Sequence, residues 1–206
     1  MIRFVKASLC LFTIFFISFK VQGQEKQKPQ YLLEPSDWGF EHIDFPLDFA
    51  PNISYEGFEE LRFAPGMFDP SSEDYFTYAF VLALKNQNRI SKKEIIDFLH
   101  AYYKGLSRSV AKSKNQEVDV SKIQVTEKRW VKEGSRKVLL VKMSFLDTFS
   151  DGREIPLFLE IELIPQNSKN HLLLFALAST FSDKDSETWA SLYEIRKKLN
   201  YNLFIK

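Results

Sequence analysis

The chain has 206 residues, 15% of them aromatic, with 28 Lys and Arg against 27 Asp and Glu and a formal net charge of +1. No long run of one sign exists, which argues against nucleic acid as a partner. The single cysteine, Cys10, excludes an internal disulfide framework.

The chain opens like an export leader. Met1-Ile2-Arg3-Phe4-Val5-Lys6 is a short cationic start, Ala7 to Phe19 is an almost unbroken apolar run, and Val21-Gln22-Gly23 puts small or permissive residues where a signal peptidase cuts. The 13-residue run spans about 20 Å as a helix, short of the ~30 Å hydrocarbon core. A cleaved leader over residues 1–23 is therefore expected rather than an anchor. The mature protein is expected to be secreted or periplasmic, with no membrane span. Cys10 follows Ala7-Ser8-Leu9 inside the apolar run, without the leucine three residues earlier that lipid attachment uses. Cleavage removes it, along with Arg3, Lys6 and Lys20, so the balance becomes 25 cations against 27 anions. Gln24 to Gln30, "QEKQKPQ", is polar and reads as a disordered spacer. Residues 31–206 are long enough to form a single domain held by its core alone.

Ile43, Phe45, Leu47 and Phe49 alternate with Asp44, Pro46 and Asp48, the period of a half-buried strand, which Pro46 confines to a sheet edge. A short strand is expected from Phe58 to Phe63. A stronger one runs from Tyr75 to Leu84, apolar on both sides, as a central strand covered on both faces would be. In that strand Phe76, Tyr78, Phe80, Leu82 and Leu84 point one way, and Tyr75, Thr77, Ala79, Val81 and Ala83 the other. Ser91-Lys92-Lys93-Glu94 is a capping box, and Ile95, Leu99, Tyr102, Leu106 and Val110 recur behind it at helical spacing. Gly105 weakens the expectation that this helix continues to Lys112.

Four strands are expected next: Ile123 to Lys132, Lys137 to Asp147, Ile155 to Leu163 and His171 to Thr180. Glu133-Gly134-Ser135, Asp151-Gly152 and Asn167 to Asn170 supply the turns between them. Ser182 or Asp183 begins a last helix with Trp189, Leu192, Ile195 and Leu199 inward and Lys197 and Lys198 in its final turn. Strands, helix, four-strand meander, helix is the order of an α+β domain: a mostly antiparallel sheet with two amphipathic helices. That order is similar to the Mog1/PsbP-like architecture. The stretch Trp38 to Phe80, with "FPLDFAP", "EELRFAPGMF" and "YAFVLAL", resembles an uncharacterised family of secreted bacterial proteins. The resemblance covers about a fifth of the chain and implies no activity.

Phe-Ala-Pro occurs twice, at Phe49-Ala50-Pro51 and Phe63-Ala64-Pro65. Each proline keeps the alanine before it extended and ends a ladder, so the repeat reads as two copies of a structural corner. The functional reading is an apolar mouth lined by Phe49, Phe63, Met67 and Phe68, with Arg62 the guanidinium for a ligand carboxylate. Catalytic signals are sparse, and no catalytic residue is assigned. Of the histidines His42, His100 and His171, only His42 has carboxylates nearby in sequence, at Glu41 and Asp44. A hydrolase-like site would draw on His42 with Glu59, Glu60 and Arg62. The acidic run Asp69 to Asp74 lacks the glycine and distant glutamate of a calcium loop, and reads as a solvated turn. A cofactor-free, metal-free binding module for a protein or an apolar small molecule is the expectation.

Overall fold

Residues 29–166 and 171–200 are described in a computed structural model; residues 1–28, 167–170 and 201–206 lie outside them, and with them the expected leader, most of the expected spacer and the expected turn at Asn167 to Asn170. The elements are β1 (Gly39–Asp44), β2 (Glu56–Phe63), β3 (Tyr78–Lys85), α1 (Lys92–Ser113), β4 (Gln124–Glu133), β5 (Arg136–Leu146), β6 (Glu154–Gln166), β7 (His171–Ser179) and α2 (Glu187–Lys198). The seven strands form one sheet in the order β1-β2-β3-β7-β6-β5-β4, with antiparallel neighbours throughout. The domain is α+β, as the element order implied. α1 carries the chain from β3 across to the far edge, and the β4-to-β7 meander returns it to the middle.

Two apolar layers flank the sheet. Tyr78, Phe80, Leu82 and Leu84 of β3 join Ile95, Leu99, Tyr102 and Tyr103 of α1 in the larger core. Ala79, Val81 and Ala83 join Tyr31, Leu32, Trp38 and the α2 residues Trp189, Leu192 and Ile195 in the smaller one. β3 is thus a central strand covered on both sides, and seven of its eight residues are buried. It begins later than the alternation implied, because Phe76 adopts a positive φ of 51°. That twist puts Tyr75 and Phe76 into the same core instead of on opposite faces.

The first strand also differs from its expectation. The ladder runs from Gly39 to Asp44, and Phe45 makes the last bond, to the Gly57 carbonyl (3.0 Å). Pro46 has no amide to continue it. Beyond it the chain turns under α1. Leu47, Ala50 and Ile53 are buried because they recur every third residue in successive turns, with Ala50 N–H bonding Leu47 and Ile53 N–H bonding Ala50 (both 3.0 Å).

Both Phe-Ala-Pro copies make the same turn. The Ala50 carbonyl accepts from Ile53 and the Ala64 carbonyl from Met67, each at 3.0 Å, with proline at the second turn position. In each copy the alanine and the residue three further on are buried. The first corner rests on α1 at Gly105, where a β-carbon would collide with the Phe49 carbonyl oxygen. The helix therefore continues through Gly105 to Ser113. Its Ser91–Glu94 capping box forms reciprocally, with Glu94 N–H on Ser91 Oγ (3.2 Å) and Ser91 N–H on Glu94 Oε2 (2.8 Å).

Gly105→Ala tests this contact. Alanine would favour the helix by up to ~1 kcal/mol, but the overpacked corner should cost ~1–3 kcal/mol. Net destabilisation is expected in a urea titration, and a stability equal to or above wild type would show that the corner does not rest on the helix.

Candidate functional site

β2 separates its charged residues by strand alternation. Phe58, Glu60 and Arg62 face the smaller core, while Glu59, Leu61 and Phe63 face α1. Glu60 and Arg62 meet the N-terminal segment 30–38, which crosses their face of the sheet. Glu60 Oε1 accepts the Gln30 amide (2.7 Å), and its Oε2 accepts those of Tyr31 (2.9 Å) and Leu32 (3.1 Å). Arg62 donates through Nε to Leu32 O (3.0 Å), Nη1 to Trp38 O (3.0 Å) and Nη2 to Leu33 O (3.1 Å). Its guanidinium also lies 4.8 Å from the Phe40 ring centroid. A segment that pairs with no strand thus has six backbone groups bonded by one buried acid and one buried base.

His42 joins the same cluster. Its Nδ1 is 3.9 Å from Glu60 Oε1, its Nε2 is 3.4 Å from Asp44 Oδ1, and its ring stacks on Phe58 at 4.6 Å. His42, Glu60 and Arg62 therefore do converge. Both oxygens of Glu60 are occupied by amides, however, and Arg62 is spent on carbonyls. Glu60 and Arg62 are built as an anchor for backbone, while Asp44 is the exposed carboxylate of the cluster.

Glu59 is separate, on the opposite face. Its side chain is fully buried, Oε2 accepts from the Tyr102 hydroxyl (3.1 Å), and Oε1 has no hydrogen-bond partner. Burial pushes the Glu59 carboxyl up to about 8, with Glu41 adding to the rise and the Tyr102 bond opposing it. Burial thus favours the neutral form of Glu59 in the folded chain. The hydroxyls of Tyr78 and Tyr103 bond each other in the same layer.

The aromatic candidates divide. Phe49 is half-buried and packs edge-on against Tyr102 (5.1 Å, 88°). Phe63 is half-buried and Met67 is buried, but Phe68 is 55% exposed. Phe68 leans on Phe63 (6.3 Å) and Phe149 (5.4 Å), making an aromatic ledge on the second Phe-Ala-Pro loop. Arg62 is not part of it; its side chain points through the other face. In the acidic turn, Asp69 Oδ1 accepts from Ser71 N (2.9 Å) and Oγ (2.7 Å). Among the described residues no group of three or more His, Cys, Asp and Glu is placed to hold a metal ion. His100 accepts the Val125 amide (3.1 Å), fastening α1 to β4.

One ionic network was not legible in the sequence. Glu160 of β6 accepts from Arg196 (2.7 Å) and Tyr193 (3.1 Å) and lies 3.2 Å from Lys184, whose ammonium sits over the Trp189 ring. Arg196 also meets Glu162 (2.7 Å), which reaches Arg136 (3.0 Å). The network fastens α2 to β6. Its only signal was two glutamates spaced by two on one strand face, opposite a helix ending in cations.

Of two surface hollows, one lies apart from these groups and the other adjoins the Glu60 cluster. One is open and lined by the end of α1 and the loop after it, from Arg108 to Val118. The other, about 150 Å³, lies between Gln30, Phe58, Lys85 and His171.

No protein-family model matches the chain, and no curated protein matches it. Among solved structures it is similar to the crystal structure of LpqN involved in cell envelope biogenesis of Mycobacterium tuberculosis. The likeness has 10% identity and a TM-score of 0.28, over 81% of this chain and 84% of that one. No helix among the described residues is long and apolar enough to cross a membrane.

Glu59 generates a pH test. The folded chain holds a proton that the unfolded chain releases above about 4.5, so stability falls as pH rises and levels off beyond about 8. The slope should reach up to about 1.4 kcal/mol per pH unit. Glu59→Gln removes it, so the variant should gain on wild type steadily between pH 5 and 8 in urea titrations. Parallel profiles would contradict a neutral Glu59.

Proposed function

We propose that the chain is a non-catalytic binding module, exported to act as a secreted or periplasmic protein, that holds a partner protein or an apolar ligand against the Phe68 ledge. Phe68 carries the reading: a large ring, 55% exposed, on a loop fixed by successive turns. Met67 N–H bonds Ala64 O, Asp69 N–H bonds Gly66 O, Ser72 N–H bonds Asp69 O and Phe76 N–H bonds Met67 O, all at 2.9–3.0 Å. An aromatic held in advance loses little freedom on binding, which is how such side chains become binding anchors. Support for a non-catalytic role comes from the use already made of Glu60 and Arg62, and from the enclosure of Glu59. The strands–helix–meander–helix order supports a Mog1/PsbP-like arrangement as part of the same reading. The leader-like start supports export, with the mature chain beginning at Gln24.

Phe68→Ser tests the ledge. The ring is mostly exposed, so stability should change by less than about 1 kcal/mol. Molecules recovered with the wild-type protein from its native source, identified by mass spectrometry, should be lost or reduced at least tenfold with the variant. An unchanged set would sink the proposal.

A further inference from the structure

β4 and β5 sort their charges by face. Glu127 and Glu133 point away from α1, where Glu127 lies 3.5 Å from Lys142 and Glu133 3.1 Å from Arg136. The alternate positions of the same hairpin, on the α1 side, hold Lys128, Trp130, Lys132 and Lys137. Lys132 and Lys137 are cross-strand partners, and the Lys137 ammonium lies 4.7 Å from the Trp130 ring centroid. Lys128, Lys132 and Lys137 are exposed, Trp130 is half-buried, and among the described residues none of the three lysines forms an ion pair.

α1 does not cover them. It crosses its face obliquely, with Phe98 beside Tyr55 near β2, Ser107 on the Leu146 carbonyl and Lys114 on Thr148 and Phe149, so the far end of the β4–β5 hairpin stays open. The helix adds a cation: Lys104 and Lys128 both act electrostatically on His100, which ties α1 to β4. Asp97, the nearby acid of α1, is taken by Lys93 at 2.6 Å.

We infer that this face, with Lys104, Lys128, Lys132 and Lys137 around Trp130, docks on an anionic lipid bilayer surface. Three lysines with no acid on that face of the hairpin, and Lys104 on the helix beside it, complement a plane of anionic headgroups, and each basic residue near such a surface strengthens binding about fivefold. A tryptophan among them has the amphipathic ring that settles at the headgroup level. A soluble polyanion would use the lysines but give Trp130 no apolar layer to enter. The attraction should fade with salt, since exposed charges are screened over about 8 Å at physiological ionic strength.

Flotation with vesicles tests this on residues 24–206, so that the apolar leader does not itself partition. At 50 mM salt, binding is expected to vesicles of phosphatidylglycerol and phosphatidylcholine and not to phosphatidylcholine alone. Lys128→Gln/Lys132→Gln/Lys137→Gln should weaken it about a hundredfold, from about fivefold per lysine. Lys85→Gln/Lys92→Gln/Lys198→Gln, the same charge change at exposed sites elsewhere, should weaken it far less. Trp38 is 9% exposed and Trp189 is fully buried, so a blue shift in tryptophan emission on adding vesicles reports Trp130. Trp130→Phe should abolish that shift. No binding to anionic vesicles, equal loss in the two triple variants, or binding of polyphosphate with no binding of vesicles would each overturn the inference.

Discussion

A carboxylate and a guanidinium two residues apart on β2 hold the N-terminal segment to the domain. Glu60 and Arg62 are at most 5% exposed, and burying either alone would cost several kcal/mol. What offsets that cost is backbone. Three amides converge on the acid and three carbonyls on the base, and hydrogen bonds to charged groups contribute about 1.5–3 kcal/mol each. The dependence is mutual, because residues 30–38 join no ladder, and without these side chains their polar groups would lie unpaired against an apolar layer. Tyr31, Leu32 and Trp38 bring the apolar surface that completes the layer with α2.

Each face of the sheet carries a different solution for buried acids. On the Glu60 face the acid is surrounded by backbone donors. On the α1 face Glu59 has one donor, Tyr102, and burial disfavours its ion. Adjacent residues of one strand thus occupy opposite electrostatic environments, set by which side of the pleat each faces. Farther along, Glu160 and Glu162 are likewise met by donors, here Arg196 and Lys184, which tie β6 to α2 and the turn before it alongside Trp189, Leu192 and Ile195.

What the sequence disclosed followed from local signals. The capping box fixed where α1 begins, and alternation over Phe80 to Leu84 and Ile155 to Leu163 located β3 and β6. Alternation misled over Leu47 to Phe49, where the apolar residues serve turns under a helix. Gly105 looked like a weak point and is a contact. The corner reading of Phe-Ala-Pro was accessible because a proline turn is local. The pairing of Glu60 and Arg62 with residues 30–38 was not, since the partners are main-chain atoms 24 to 30 positions away. Period two did place Glu60 and Arg62 together and apart from Glu59, a distinction that grouping the three as one charged set passed over.

For a domain without disulfides, such a clamp makes the start of the folded chain part of the core. A binding surface on the Phe68 ledge and a basic face on the β4–β5 hairpin both rest on a sheet whose face at β2 is covered by that segment. Hydrogen exchange at the amides of Gln30, Tyr31 and Leu32 tests the clamp most directly. In the wild-type protein these amides should be protected, and Glu60→Gln should lower their protection at least tenfold while leaving amides in β6 and β7 as slow as before. Equal protection of the three amides in both proteins would contradict the clamp.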